Sequence, residues 1–120
     1  MTKSESSGAM GESRAADAYL ERGYEIRERN FRCRFGEIDI VAEKGGILAF
    51  VEVKTRKAGS LLLPREAVDR HKQARLIKTA SVYLARNPEL QLQPRFDVAE
   101  VTMLSHSMTV EILENAFSLD

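Results

Sequence analysis

The stretch EIDIVAEKGGILAFVEVKT, residues 37–55, decides the fold. Two runs rich in β-branched and apolar residues, Glu37–Glu43 and Ile47–Thr55, are separated by Lys44-Gly45-Gly46. A Gly-Gly pair between such runs predicts a β-hairpin, because a tight primed turn needs positive φ at its centre. We therefore predict two antiparallel strands joined at the glycine pair.

The turn also determines which residues face each other. With the two glycines as the loop, Asp39 lies directly across from Glu52. In the same register, Glu37 lies across from Lys54. Opposite residues project to one face of the sheet with Cβ atoms about 4.5–5.5 Å apart, so the two carboxylates are predicted neighbours. A loop of odd length or a bulge would move this pairing by one residue.

The segments around the hairpin predict an α/β domain. In chain order they are a disordered N-terminus over residues 1–10, a helix over Gly11–Arg22, a partly extended stretch over Tyr24–Phe35, a loop over Lys57–Leu63, a helix over Pro64–Arg86, strands over Arg95–Met103 and Met108–Leu113, and a short tail over Glu114–Leu119. The order α-β-β-β-α-β-β predicts a mixed β-sheet flanked by helices, in a single domain over residues 11–120.

The first predicted helix directs one carboxylate toward its apolar side. Its apolar stripe consists of Ala15, Ala16, Tyr19 and Leu20, and at 3.6 residues per turn Glu12 falls in the middle of that stripe. Two interpretations of Glu12 stay open at this point. It points into a site, or it occupies the first helical turn, where the helix dipole favours acids.

Composition places the chain among small globular proteins. At 120 residues and 13.5 kDa, with 43% hydrophobic and 30% charged residues, it has the size and balance of one folded domain. No apolar run is long enough to span a membrane, so we expect no membrane association. The lone Cys33 suits a reducing compartment, and we expect a cytoplasmic protein without a small-molecule cofactor.

The net charge of zero conceals a segregated charge distribution. Residues 52–80 contain eight Lys or Arg and three Asp or Glu, whereas residues 97–120 contain five acids and no Lys or Arg. A basic segment is a candidate electrostatic footprint for a polyanion. The alternative is that these bases form a solvated surface without a partner.

Asp39 and Glu52 form a candidate metal site. Like charges directly across a sheet destabilise it, and a hard cation such as Mg²⁺ relieves the repulsion. Lys54 follows on the same face as Glu52 and could orient a water beside the ion, and the Val53 carbonyl between them could supply another oxygen. The alternative is that Glu52 and Lys54 are charges that keep a sheet edge soluble.

Several strings of the sequence resemble the YraN family of uncharacterised bacterial proteins. The resemblance runs from Gly11 to Val101 and rests on Glu12, Gly36-Glu37-Ile38-Asp39, the segment from Phe50 to Arg56, the stretch from Ala67-Val68 to Lys72-Gln73, and Arg95-Phe96-Asp97-Val98. That family is similar to the PD-(D/E)XK nuclease superfamily, whose restriction-endonuclease-like fold is close to that of archaeal Holliday-junction resolvases.

The resemblance implies a Mg²⁺- or Mn²⁺-dependent endonuclease that hydrolyses DNA phosphodiester bonds with one or two ions. The implied catalytic residues are Asp39, Glu52, Lys54 and Glu12, and the implied metal donors are Asp39, Glu52, Glu12 and the Val53 carbonyl. Similarity to resolvases further implies branched or structured DNA as substrate and a homodimer as the assembly. The alternatives are a nucleic-acid-binding module without catalytic activity and a protein-interaction scaffold in DNA metabolism.

The basic residues near the proposed site are the expected DNA contacts: Arg56, Lys57, Arg65, His71, Lys72, Arg75 and Lys78. Such contacts would bind phosphates rather than bases. For Lys72 an alternative is a side chain whose stem covers apolar surface while its ammonium stays in water. The sequence has only five Phe and three Tyr and no aromatic platform motif, so it does not favour single-strand binding by base stacking.

Overall fold

The computed structural model describes residues 7–59 and 69–117, which fold into two helices and five strands. The elements in chain order are α1 (Ser7–Glu21), β1 (Glu25–Cys33), β2 (Gly36–Lys44), β3 (Ile47–Lys57), α2 (Arg70–Arg86), β4 (Gln93–Met103) and β5 (Met108–Phe117). The predicted element order and the mixed sheet flanked by helices are confirmed. Within these described ranges, no helix combines the length and the apolar character needed to cross a membrane.

The sheet has the strand order β1-β2-β3-β4-β5. The β3–β4 pair is parallel, whereas the other three neighbouring pairs are antiparallel. Strand β3 lies at the centre and is buried without interruption from Leu48 to Glu52. A strand covered on both faces needs such a continuous apolar run, and here the run ends in a carboxylate.

Each face of the sheet carries its own core. One side consists of Phe31, Ile38, Val41, Leu48, Phe50, Leu76, Ala80, Tyr83, Phe96 and Val98, so α2 covers it. The other side consists of Ala15, Ala16, Tyr19, Tyr24, Ile40, Ala42, Ala49, Val51, Ala99 and Val101, so α1 covers it. Alternate residues of β3 belong to alternate cores, as the period of a strand requires. Phe50 therefore places Glu52 and Lys54, two and four positions later, on the α2 side.

The predicted hairpin is confirmed, but its strands part before its predicted end. Gly45 and Gly46 have φ of 57° and 84°, and the ladder runs in the predicted register from Lys44–Ile47 to Ile40–Val51. The prediction that Glu37 lies opposite Lys54 is wrong. The ladder between β2 and β3 ends at Ile40–Val51, three residues before Glu37, and on its other side Glu37 pairs with Arg32 of β1. Beyond that point β2 stays paired with β1 as far as Gly36, and β3 stays paired with β4 as far as Lys57.

Both helices differ from the sequence prediction at their ends. Helix α1 begins at Ser7 rather than Gly11, and residues 1–6 of the predicted disordered N-terminus lie outside the described residues. Leu20, predicted to be in the core, is 53% exposed, because the buried stripe is centred on Gly11, Ala15 and Tyr19. Helix α2 begins at Arg70 rather than Pro64, since Asp69 has ψ of −178° and caps the helix by accepting from the Lys72 backbone N–H.

Two other segments differ from the prediction. The loop predicted over Lys57–Leu63 is β-strand at Lys57, and residues 60–68, including Pro64, lie outside the described part of the chain. The predicted tail from Glu114 continues strand β5 to Phe117, which pairs with Phe96 beyond a bulge. Backbone hydrogen bonding to β4 therefore extends a segment whose sequence has no clear strand pattern.

Candidate metal and catalytic site

A cleft opens where β2 and β3 separate, and it contains most of the predicted site. Its volume is about 410 Å³, and it is lined by Glu12, Phe35, Gly36, Glu37, Asp39, Glu52, Val53, Lys72, Arg75 and Leu76. Glu12 comes from α1 on one face of the sheet, and Lys72 comes from α2 on the other face. The separation of the two strands thus lets side chains from both faces reach one site.

A local distortion directs Asp39 into this cleft. Ile38 and Ile40 are two positions apart on β2 yet belong to opposite cores, so the strict alternation of the strand is broken at Asp39. On β1, the pairs on either side place Asn30 level with Asp39, and Asn30 has a φ of 56°. Asparagine tolerates this left-handed conformation better than most residues. Such distortions are common where a sheet re-aims a functional side chain.

Asp39 and Glu52 are neighbours, as predicted, although the described ladder ends one residue before them. The backbone N–H of Val53 donates to Asp39 Oδ2 at 2.8 Å, which ties Asp39 to β3 directly after Glu52. Burial, followed by the negative charge of Glu52, raises the pKa of Asp39 to about 7, against the lowering effect of the Val53 N–H and with a further raising contribution from Glu12. Nearby carboxylates have this effect because only one of them ionises easily.

Glu12 lies in the cleft, and the two interpretations left open by the sequence can now be separated. Helix α1 starts at Ser7, so Glu12 lies beyond the first turn and the dipole interpretation is wrong. Burial, then the charge of Glu37, raises the pKa of Glu12, and a side-chain hydrogen bond with Asp39 opposes that shift. The preceding Gly11 is buried against β3, where a Cβ would overlap Oγ1 of Thr55. Glycine thus allows the close approach that brings Glu12 to the cleft.

Glu52 is only 7% exposed and holds two lysines. Its Oε2 lies 2.8 Å from Lys72 Nζ and 3.3 Å from Lys54 Nζ. Burial and the adjacent Lys72 ammonium lower the pKa of Lys54. Burial also disfavours the charge on Lys72, but its hydrogen bond to Glu52 raises its pKa on balance. Lys72 therefore points into the site, and the alternative of an apolar stem with its ammonium in water is wrong.

Sequence reasoning missed two polar residues of the cleft, Asn30 and Glu37. With its amide turned so that Nδ2 faces the carboxylates, Asn30 donates to Glu37 Oε2 at 2.8 Å and to Glu12 Oε1 at 3.1 Å. Glu37 also forms a 3.3 Å ion pair with Arg32. The GEID string contains Glu37, but the predicted register gave Glu37 only a cross-strand partner, Lys54, and no role in the site. Asn30 has no local signal beyond its tolerance of positive φ.

The predicted DNA contacts are distributed around the cleft rather than gathered inside it. Lys72 and Arg75 line it, and His71 and Lys78 are exposed on the adjoining surface of α2. Arg56 is half-buried on β3, and Lys57 is exposed at the end of that strand. Arg65 lies outside the described residues. Four of the seven residues thus form one basic surface beside the acidic cleft.

The donor set fits a divalent cation that keeps much of its water. Within residues 7–59 and 69–117, no three Asp, Glu, His or Cys side chains are placed to hold an ion by themselves. Mg²⁺ usually takes only one or two carboxylates and completes its octahedron with water and substrate phosphate. Asp39 and Glu52 meet that requirement, with Glu12 and the Val53 carbonyl as further candidate donors. A bound cation would also offset the burial and the repulsion by Glu52 that raise the pKa of Asp39.

Comparison with known proteins shows which family this chain resembles. A sequence model of the uncharacterised protein family UPF0102 matches residues 11–101. A UPF0102 protein of Alkaliphilus metalliredigens is 48% identical over 115 residues, which cover 95% of this chain and 99% of that protein. Another, of Caldanaerobacter subterraneus, is 46% identical over 104 residues, covering 87% of this chain and 85% of the relative. The predicted resemblance to an uncharacterised family is confirmed at this level: the chain belongs to the UPF0102 family.

Proposed function

We propose that this protein is a metal-dependent endonuclease that hydrolyses DNA phosphodiester bonds. The observation that carries the proposal is the meeting of Asp39, Glu52 and Lys54 where β2 and β3 part, with Glu12 added from α1. Two crowded carboxylates beside a partly buried lysine are suited to hold a cation and act on a phosphate. The GEID and FVEVKTR strings resemble the YraN family, and the similarity of that family to PD-(D/E)XK nucleases supports the same assignment.

The residues of the cleft have distinct roles in the proposed reaction. A Mg²⁺ or Mn²⁺ ion held by Asp39, Glu52, Glu12 and the Val53 carbonyl would polarise the phosphate and lower the pKa of a bound water. The Val53 N–H fixes the orientation of the Asp39 carboxylate. Lys54 is held 3.3 Å from Glu52 and is placed to orient the attacking water and to stabilise charge on the phosphate.

The basic surface on α2 supplies the proposed binding energy for DNA. Lys72 and Arg75 enter the cleft, and His71 and Lys78 extend the positive charge along the helix. Such contacts bind the phosphate backbone, so affinity should fall steeply with salt. Selection of branched DNA would fit a homodimer, in which each copy presents one cleft. We place this activity in the cytoplasm.

The test is incubation of the purified protein with labelled branched, nicked and linear DNA in Mg²⁺ or Mn²⁺. We expect cleavage by the wild type and a loss of about 10²–10³-fold in Lys54→Met, the range for removing one group that stabilises charge in the transition state. Glu52→Gln should lose at least as much, because it also removes a metal ligand. Glu43→Gln is the matched control, since Glu43 lies at the opposite end of β2 in an ion pair with Arg27.

The outcomes separate the proposal from its alternatives. Cleavage that persists in Glu52→Gln and Lys54→Met would contradict the site. Metal-dependent cleavage of matched RNA but not of DNA would support the assigned site and identify RNA, rather than DNA, as the substrate.

One observation favours a second candidate, a nucleic-acid-binding module without turnover. Two ammonium groups already hold Glu52 Oε2, so the carboxylate is partly neutralised without a metal. Binding of branched DNA without cleavage in either metal would favour this candidate. If neither DNA nor RNA bound at low salt, a protein-interaction scaffold would become the leading function.

A further inference from the structure

Phe35 occupies an unusual place at the mouth of the cleft. Arg34 and Phe35 form the turn between β1 and β2, after the closing pair Cys33–Gly36. Phe35 is half-buried and lines the cleft together with Asp39 and Glu52. Neither Arg34 nor Phe35 has a positive φ, so this turn accepts most residue types and does not by itself call for an aromatic residue at the tip. A different role for the ring must be considered.

Two cations lie over the ring in cation–π contacts. The guanidinium carbon of Arg34 lies 4.9 Å from the Phe35 ring centroid, and Lys78 Nζ lies 5.6 Å from it. Arg75 lines the same cleft one helical turn before Lys78. An aromatic face bordered by cations matches the chemistry of a nucleotide, which offers a flat base next to charged phosphates. The charge of the neighbourhood is therefore complementary to a nucleic-acid strand.

The turn is held rigidly against α2. A Cβ on Gly36 would lie 3.3 Å from Oγ1 of Thr79, so the backbone after Phe35 packs closely on the helix. Thr79 is fully buried, and its hydroxyl donates to the Arg75 carbonyl at 2.8 Å. A ring on a fixed backbone loses little conformational freedom when a ligand stacks on it. Phe35 is thus presented at a set distance from the carboxylates of the cleft.

We propose that Phe35, Arg34 and Lys78 form a subsite for an unpaired nucleotide adjacent to the scissile phosphate. The base takes the place of one of the two cations on the Phe35 ring, and Arg34 and Lys78 then contact the flanking phosphates; this assigns to a single ring the stacking that the sequence composition did not favour. Bases inside a duplex are stacked on one another, so this ring reaches a base only where pairing is interrupted. The inference rests on the proposed nucleic-acid function and narrows its substrate to strands with an unpaired base at the cut, such as flaps, forks and junctions.

The experiment compares binding of a forked duplex and a matched linear duplex by fluorescence anisotropy, in EDTA so that no cleavage occurs. We expect the wild type to prefer the fork. Phe35→Leu, which keeps an apolar side chain at the turn, should reduce this preference by about 5- to 100-fold, the range for loss of one base–aromatic stack. Its affinity for the linear duplex should stay within about 2-fold, because the phosphate contacts remain.

Two control variants make the comparison specific. Phe35→Tyr keeps the aromatic face and should retain the preference. Arg86→Ala removes a similar cation, whose guanidinium carbon lies 5.6 Å from the Phe31 ring at the other end of α2, away from the cleft. It should leave the fork preference unchanged. Thermal melting of each variant establishes that the fold persists.

Every outcome bears on the inference. A wild type without fork preference, or a Phe35→Leu variant that keeps it, would overturn the subsite even if metal-dependent cleavage is found. A fork preference that depends on Phe35 would support the subsite even if cleavage fails, so the failure of the nuclease proposal is a separate result. If the wild type binds neither the forked nor the linear duplex, the result contradicts both the nucleotide subsite and the proposed action on DNA.

Discussion

Asp39 and Asp97 are aspartates on inner strands of the same sheet, and their surroundings are opposite. Asp97 is 0% exposed and accepts from Arg95 Nε at 2.9 Å and Arg95 Nη2 at 2.8 Å. It also accepts from the Tyr19 hydroxyl at 2.7 Å and from the backbone N–H of Asn115 at 3.0 Å. Both carboxylate oxygens are thus bonded to donors from three elements of the fold.

Asp39 has one backbone donor, Val53, and its other close neighbours include Glu12 and Glu52. Burial and these negative charges raise its pKa to about 7. Buried polar groups are normally satisfied, as Asp97 is, because an unsatisfied one costs stability. An aspartate kept among other acids is therefore a candidate functional group, which agrees with the cation binding proposed above, whereas the Asp97 network indicates a structural role. The following predictions test that contrast.

The largest expected effect is the loss of stability on removing Asp97. Asp97→Ala leaves the Arg95 guanidinium, which is held at 2.8 Å, without its buried partner. Breaking a buried ion pair from one side costs about 3–5 kcal/mol, a large part of the stability of a small domain. Urea denaturation measures this change. If the alanine variant does not fold, Asp97→Asn should fold with a smaller loss of unfolding free energy. An Asp97 variant as stable as the wild type would contradict the structural role of Asp97.

In metal-free protein, Asp39→Asn should raise the free energy of unfolding, whereas Asp97→Ala lowers it. The folded-state pKa of Asp39 is raised from 3.8 to about 7, so the folded protein holds this proton more tightly than the unfolded chain. The ionised carboxylate therefore lowers the free energy of unfolding by an amount that grows as pH rises from about 4 to about 7 and is constant above that. Each unit of difference between the folded and unfolded pKa corresponds to about 1.4 kcal/mol. Asparagine avoids that cost and can still accept from Val53.

The measurement is the difference in unfolding free energy between Asp39→Asn and the wild type at about pH 5 and about pH 8 in EDTA. We expect a stabilisation of a few kcal/mol that is larger at the higher pH. Asp17→Asn, at an exposed position of α1, is the matched control and should lack this gain. A destabilised Asp39→Asn variant at high pH would mean that Asp39 is structural, like Asp97.

The smallest expected effect concerns the helix that carries Glu12. Gly11→Ala introduces a Cβ that overlaps Thr55 Oγ1, and overpacking of this kind costs about 1–3 kcal/mol. Thr55→Ala should rescue part of the loss in a double-mutant cycle, because it removes the overlapping atom. Gly8→Ala, at an exposed position of the same helix, should be neutral or stabilising by up to about 1 kcal/mol. A stabilising Gly11→Ala would contradict the close packing.

Local patterns were sufficient to predict the hairpin and the proximity of Asp39 to Glu52. The glycine pair defined the turn and its register, because turn chemistry depends on neighbouring residues. The adjacency of Asp39 and Glu52 followed from that register and is confirmed, although the strands part at this point. The divergence itself, and the wrong partner assigned to Glu37, could not be predicted, since they depend on β1 and β4 in the assembled sheet.

Contacts between distant segments were not accessible from the sequence. The Tyr19–Asp97 hydrogen bond joins residues 78 positions apart, and no local pattern indicates it. Lys72 was placed on a helix correctly, but its 2.8 Å contact with Glu52 depends on how α2 packs across the sheet. Leu20 was misplaced for a similar reason, because the rotation of α1 follows from the approach of Gly11 to Thr55. Packing decided these positions.

The most direct test of the central claim, that the cleft of Asp39 and Glu52 binds a divalent cation, is thermal melting of metal-free protein titrated with Mn²⁺. A ligand that binds only the folded state stabilises it by about 2.7 kcal/mol at a concentration one hundred times its Kd. The account predicts that Mn²⁺ raises the Tm of the wild type and of Glu43→Gln but not of Asp39→Asn or Glu52→Gln. An unchanged Tm of the wild type at millimolar Mn²⁺, or an equal rise in all four proteins, would contradict it.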